Sequence, residues 1–355
     1  MSLKVLAAMS GGVDSSVAAL TLLESGHEVE GVTLRLFDSC GGENSRSCCS
    51  LEDVETSRRT AEILGINHRI LDLQGSFERM VIQPFVREYS TGRTPNPCIR
   101  CNDLIKFGLL LDYALERGFD ALATGHYARI IEKGGRKRLA RGVDEGKDQS
   151  YVLFSLLPER LERIVLPLGG LTKKEVRQRA SVAGLPSADK RESQDICFVD
   201  KDGLATFLDE KVTEKREGRF KTPDGRTLGA HDGIHRYTVG QRRGLGVPAG
   251  KRLYVSSIDS RRGDITLVPR EELGNKRFLV KDWLWHIPEK ERPTQMNVQV
   301  RYHQRAKRAA VTGSDGGDLV LEWIDDRHCV TPGQAAVGYT ENTVVGGGWI
   351  SGSEQ

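Results

Sequence analysis

The sequence predicts an α/β protein: a doubly wound parallel sheet first, then a small β-rich central domain and a C-terminal β-barrel. Three observations carry that expectation. Strand and helix signals alternate through the N-terminal half, and a glycine-rich turn joins the first strand to the first helix. From about Arg219 the texture changes to short β-type runs between glycines and prolines. Alternation of the first kind implies a parallel sheet with ligands at the carboxyl ends of its strands.

Residues 4–9 are a short apolar run, and after a Gly-Gly turn residues 13–23 carry helical spacing. Residues 28–36 are β-branched and strand-like. Residues 51–64 show helix periodicity closed by Gly65, and 68–73 read as a strand. An amphipathic helix opened by Asn102 is expected over 102–117, then a strand over 120–124 that ends in Gly125-His126. Residues 133–141 read as a β-hairpin tip, and helices follow at 173–183 and 203–211. Strands are then expected at 234–239, 253–257 and 265–268, and in a separate unit at 296–302, 309–312, 319–324, 335–339 and 343–348. The expected domains are 1–210, 211–272 and 273–355.

At 355 residues, two or three domains are expected, and 38% apolar content can build a core for each. A formal charge of +3 permits a polyanionic partner without demanding one. No apolar run approaches the ~20 residues that cross a bilayer. The N-terminus runs straight into a strand pattern without the apolar core of a signal peptide, so no membrane association and a cytoplasmic location are expected. Seven cysteines, an odd number, then read as reactive or metal-binding thiols before structural staples.

Between strand 4–9 and helix 13–23 lies Ser10-Gly11-Gly12-Val13-Asp14-Ser15-Ser16. Glycines let backbone N–H groups approach phosphate oxygens, the hydroxyls of Ser10, Ser15 and Ser16 add donors, and the helix dipole favours an anion. A Walker loop is excluded because no lysine stands in the turn, and a dinucleotide fingerprint because its glycine spacing is absent. The bland alternative is a tight turn with no ligand. Asp14 inside an anion loop argues against it and marks a magnesium ligand. The pattern resembles the ATP-pyrophosphatase family, which cleaves ATP between its α and β phosphates and adenylates a carbonyl oxygen.

Two cysteines occupy a proline-stiffened loop, Pro95-Asn96-Pro97-Cys98-Ile99-Arg100-Cys101-Asn102, at a helix start that favours the thiolate; a third stands in Gln194-Asp195-Ile196-Cys197-Phe198. With Thr124-Gly125-His126-Tyr127-Ala128, Lys147-Asp148-Gln149-Ser150-Tyr151, 237–246 and Thr331-Pro332-Gly333-Gln334, these motifs resemble the tRNA-specific 2-thiouridylases along nearly the whole chain. The resemblance implies an adenine nucleotide alpha hydrolase-like catalytic domain and ATP-dependent 2-thiolation of the wobble uridine of tRNAs for Lys, Glu and Gln. It implies a persulfide donor protein (a cysteine desulfurase or relay protein) as second partner. Cys101 matches the nucleophile and Cys197 the persulfide carrier, with a Cys101–Cys197 disulfide as an alternate state. ATP contacts fall on Ala8, Met9, Ser10, Gly11, Gly12, Val13, Asp14, Ser15, Leu34 and Gly125. Contacts to tRNA fall on His126, Lys147, Asp148, Gln149, Arg301, Tyr302 and Gln334.

Family members often carry aspartate where this chain has Cys98. Cys98, Cys101 and Cys197 together raise a second possibility, a four-iron four-sulfur cluster with one open iron, against the bland reading of Cys98 as a spare thiol. Cys48-Cys49 make a poor metal clip, and Cys40 and Cys329 read as small buried hydrophobes. Arg301, His303, Arg305 and Lys307 would share one face of a strand, suited to phosphates, while Gln241-Arg242-Arg243-Gly244 is basic and glycine-flanked. Two rivals stand beside this reading. An ammonia-fed synthetase needs no paired cysteines, and an idle tRNA-binding protein needs none of Asp14, Cys101 and Cys197.

Overall fold

The computed structural model describes residues 2–37, 51–190, 196–199, 203–248 and 250–353. Cys40, Cys48, Cys49 and the Gln194-Asp195 part of the third cysteine motif lie outside them. Contacts divide the chain into two units. Unit 1 holds residues 1–82, 97–201 and 342–344; unit 2 holds 83–96, 202–341 and 345–355. Among the described residues no helix is long and apolar enough to cross a membrane.

Unit 1 is built on five parallel strands: β1 (Lys4–Ala8), β2 (Glu28–Arg35), β3 (His68–Asp72), β4 (Ala121–Ala123) and, after the hairpin β5 (Ala128–Lys133) and β6 (Arg136–Arg141), β7 (Ile164–Val165). Their order is β3-β2-β1-β4-β7, with Val5 opposite Val29 on one side and Ala121 on the other. Val5, Leu6 and Ala7 are buried, as expected of a strand covered on both faces. Helix α1 (Val13–Glu24) packs Ala19 and Leu22 onto that sheet and Val13, Val17 and Ala18 against Val176 and Ala180 of helix Lys173–Val182. Helix α2 (Leu51–Leu64) completes the early part of the unit.

The chain leaves β1 for β2 on one side and later returns to β4 on the other. At such a reversal, outside the carboxyl ends of β1 and β4, open α/β sheets bind ligands. The hairpin turns at Gly134-Gly135, both with positive φ (64° and 70°), the backbone a two-residue right-twisted turn needs. The helix expected at 102–117 starts earlier, at Pro97–Arg100, runs as a π-helix over Cys101–Leu110 and closes over Leu111–Glu116. Proline fits the first helical turn because its missing N–H is needed by no carbonyl there.

In unit 2, helix Gln83–Ser90 lays Phe85 against Phe207 of helix Gly203–Lys211, ring centroids 6.4 Å apart. A four-stranded sheet follows: β8 (Gly218–Lys221), β9 (Thr227–His231), β10 (Tyr254–Ile258) and β11 (Ile265–Val268), in the order β10-β11-β8-β9 around Phe220, Ile234, Val255 and Leu267. Six strands then close a barrel through the pairing of the first with the last: β12 (Arg277–Trp285), β13 (Gln295–Gln299), β14 (Lys307–Asp315), β15 (Asp318–Trp323), β16 (Ala335–Thr340) and β17 (Thr343–Ser353). Phe278 stacks on Trp323 at 4.8 Å inside it.

Two expectations are corrected in this unit. Residues 234–239 are no strand: Ile234–Arg236 form a 3-10 turn, and the buried His235 ring is drawn onto Asp209 (Nε2 to Oδ1 2.8 Å). The basic run 301–307 is no strand face either. β13 stops at Gln299, His303 sits at φ 62°, and β14 begins at Lys307, so the alternation that put four basic side chains in a row is broken.

Candidate active site

The loop after β1 is fixed by packing. Met9 N–H continues the ladder to Val32 O (2.7 Å), and Thr33 Oγ1 donates to Met9 O (2.8 Å). Gly11 has φ 72°, and a Cβ there would stand 2.4 Å from Asp53 O at the start of α2. Gly125, at the end of β4, abuts the same loop: a Cβ would meet Asp14 C and Ser15 N at 2.8 Å. Both glycines are therefore required by close backbone approach.

Two of the three expected hydroxyl donors turn inward. Ser15 Oγ accepts from Ser10 N–H and donates to Gly12 O, each at 3.0 Å, and Ser16 Oγ also donates to Gly12 O. The reason is local: a serine in the first helical turn reaches the loop carbonyl before it reaches a ligand. Ser10 remains exposed. Gly12 stands at the α1 N-cap without a side-chain cap, which leaves first-turn N–H groups for an anion.

Asp14 is where the sequence reading was incomplete. Lys173 Nζ donates to both carboxylate oxygens (2.7 and 2.8 Å), and the buried Tyr127 hydroxyl donates to Oδ1 (2.7 Å). The carboxylate marked for magnesium is here paired with an ammonium. Lys173 is itself only 9% exposed and is pinned at its backbone. Its N–H donates to Asp144 Oδ2 (2.9 Å), and the preceding Thr172 forms a capping box with Glu175. The Thr-x-x-Glu box was legible in the sequence; no local signal joins Lys173 to a loop 159 residues away.

Cys101 begins the π-helical stretch and is 8% exposed, one turn after the exposed Cys98. The next side chain, Asn102, anchors the turn by donating to Val152 O (3.1 Å). Cys197 is half-buried, and its neighbour Phe198 packs edge-on against Phe77 (5.7 Å). Among the described residues no three His, Cys, Asp or Glu side chains are grouped to hold a metal ion. Cys98, Cys101 and Cys197 are therefore not grouped as a three-ligand set among the described residues.

His126, beside Gly125, is buried, with Nδ1 2.7 Å from Thr124 Oγ1 and its ring 5.8 Å from that of Phe107. Burial, reinforced by the Lys106 ammonium, drives its pKa well below the usual histidine value, so it is neutral. Asp148 is consumed internally by Arg141 Nη1, Gly142 N–H and both donors of Ser150, while Gln149 takes and returns hydrogen bonds with the Tyr127 backbone. Lys147 is half-buried in the same loop. In unit 2, Arg301 Nη2 donates to Val239 O (2.9 Å) and to Thr331 Oγ1. Gln334 donates to Thr94 O (2.7 Å), and the Tyr302 ring lies tilted against that of His303 (centroids 4.0 Å apart, 46°). Leu34 is half-buried on β2, opposite Leu71.

Three family profiles match in tandem: a tRNA methyl transferase HUP domain over residues 3–201, a tRNA methyl transferase PRC-barrel domain over 205–269, and an aminomethyltransferase beta-barrel domain over 275–350. The tRNA-specific 2-thiouridylase MnmA of Geobacter metallireducens is 45% identical over 354 residues, covering 98% of this chain and 96% of the relative. That of Chloroflexus aurantiacus is 46% identical over 99% of both chains. The chain belongs to the tRNA-specific 2-thiouridylase family. The profile descriptions name methyl transfer and the relatives thiolation; full-length identity at this level decides for the thiouridylases. Among solved structures, the U34-tRNA thiolase NcsA from Methanococcus maripaludis with its [4Fe-4S] cluster is 18% identical at a TM-score of 0.34, covering 59% of this chain and 63% of that one. A likeness that distant carries no argument about a cluster in this chain.

Proposed function

We propose that this chain uses ATP to adenylate the 2-oxygen of a wobble uridine in tRNA and then exchanges that oxygen for sulfur. The observation that carries the reading is the loop of residues 10–15: an uncapped helix N-terminus, two glycines held against neighbouring backbone, and an acid–ammonium pair at its centre. Family membership supplies the substrate class. A uridine carbonyl is a poor electrophile, and AMP is a good leaving group.

Two stages follow. The uridine 2-oxygen attacks the α-phosphorus of ATP, forming a P–O bond as pyrophosphate leaves. Cys197 then carries the incoming sulfur as a persulfide received from a donor protein such as a cysteine desulfurase. Cys101 attacks that persulfide at the Cys197 sulfur, the outer sulfur leaves as sulfide, and a Cys101–Cys197 disulfide forms. The sulfide adds to C2 and expels AMP, giving 2-thiouridine. A dithiol reductant returns both thiols to the start. The exposed edge of Asp14 offers hard oxygens suited to the magnesium that accompanies ATP, and bound there the ion would offset phosphate charge. Lys173 holds that carboxylate until then and afterwards faces the phosphates.

The reading extends to tRNAs for Lys, Glu and Gln, and to three modules divided near 210 and 272. The test is thiolation of wobble-uridine tRNA transcripts with ATP, a cysteine desulfurase and cysteine, scored by mass spectrometry of the nucleosides. Expected is 2-thiouridine that vanishes in Cys101→Ser and Cys197→Ser. Equal product from either variant would overturn the roles given to these thiols.

A further inference from the structure

Residues 241–253 of unit 2 hold Arg242, Arg243, Lys251 and Arg252, all exposed, and not one carboxylate. Among the described residues, none of the four forms an ion pair. Nearby arginines behave otherwise: Arg236 forks onto Asp209 and Arg277 reaches Glu322. The segment is also well anchored. Leu245 and Leu253 are buried in the core with Phe220, Val255 and Ile265, and Val247 packs beside them. Between these anchors Gly244, Gly246 and Gly250 take positive φ (74°, 63° and 64°), so the chain turns tightly with its backbone open to solvent. An open cavity of about 680 Å³ lies among Arg242, Leu245, Val247, Pro248, Lys251 and Arg252.

Four like charges on one short anchored segment repel one another unless an anion lies across them. We propose that this segment is a docking strip for the sugar–phosphate backbone of the tRNA, a contact additional to those at the uridine site. Arginine forks and glycine N–H groups match phosphate oxygens, and the cavity lining has no aromatic ring on which a base could stack. The strip therefore adds affinity without reading sequence. The inference rests on tRNA being the substrate.

The test uses the full chain with Arg242→Gln, Arg243→Gln, Lys251→Gln and Arg252→Gln combined, and Arg243→Gln alone. Binding of several tRNA transcripts is followed by fluorescence anisotropy between about 50 and 200 mM salt. Each neutralised phosphate contributes about 0.7–0.9 to the slope of log affinity against log salt, so the combined variant, four contacts short, should lose about 3 and the single variant just under one. At a fixed salt near the middle of that range the combined variant should bind on the order of a thousandfold more weakly and the single variant on the order of tenfold, alike for every tRNA. Turnover at saturating tRNA should be unchanged. An unchanged slope in both variants, or a loss confined to one tRNA, overturns the proposal. If the parent chain shows no salt-dependent tRNA binding, the substrate assignment fails instead. Should the combined variant melt early, the single substitution decides.

Discussion

Lys173 spends its charge on one carboxylate in a place water scarcely reaches, and immobilising a lysine costs about 2 kcal/mol of rotamer entropy. A purely structural residue there could be apolar. Charge-assisted hydrogen bonds of this kind contribute about 1.5–3 kcal/mol. Lys173→Ala should therefore weaken binding of a non-hydrolysable ATP analogue by on the order of tenfold or more, read by calorimetry. Unchanged affinity would make the pair a packing feature. His126 gives a pH prediction. Its folded pKa lies well below the unfolded value of 6.5, so as pH falls through 6.5 the unfolded chain takes a proton that the folded chain refuses, and stability drops. His126→Gln should lose less stability between pH 7 and 5 in chemical denaturation than the parent; parallel curves would contradict a neutral, buried imidazole. At this scale the sequence was legible where chemistry is local. Gly11, Gly12 and Asp14 are neighbours and announce an anion loop. Lys173 and Tyr127 reach Asp14 only through the fold. The inward turn of Ser15 and Ser16 depends on helix geometry that composition does not carry.

Among the elements, β1, α1 and β4 matter most because the strand order reverses between β1 and β4. Gly125 lets the two chain segments meet. Gly125→Ala would press a methyl into Asp14 and Ser15 backbone at 2.8 Å, where nothing flexible can give. Overpacking of this sort costs about 1–3 kcal/mol, and here it displaces the loop as well. The expected result is a lower Tm together with loss of ATP binding; an unaltered melt and normal binding would contradict the close approach. Thr172→Ala removes one half of a capping box and should cost about 0.5–2 kcal/mol in urea unfolding while shifting Lys173. Strands β1 to β4 of the sheet and β13 to β17 of the barrel were legible from apolar or β-branched runs; β7 and β12 were not. The 3-10 turn at Ile234–Arg236 was not, because buried His235 takes its place from Asp209, far off in sequence. The cationic ladder at 301–307 failed for a related reason: a strand pattern assumes extended backbone, and His303 leaves it.

For the whole molecule, three family profiles match in tandem, yet contacts gather the chain into two units. Residues 83–96 belong by contact with unit 2 although they lie within the first profile. Thr94 shows why: its hydroxyl meets Thr238 at 3.0 Å and its carbonyl accepts from Gln334. Tertiary hydrogen bonds of this kind leave no periodicity to read. The central claim joins this architecture to one chemistry, adenylation followed by sulfur exchange. Its most direct measurement is the stoichiometry of AMP and 2-thiouridine formed from ATP, wobble-uridine tRNA and inorganic sulfide. Sulfide bypasses the persulfide, so one AMP and one pyrophosphate per thiouridine are expected even from Cys197→Ser. Thiouridine formed without AMP, or AMP released in the absence of tRNA at the same rate, would contradict the account.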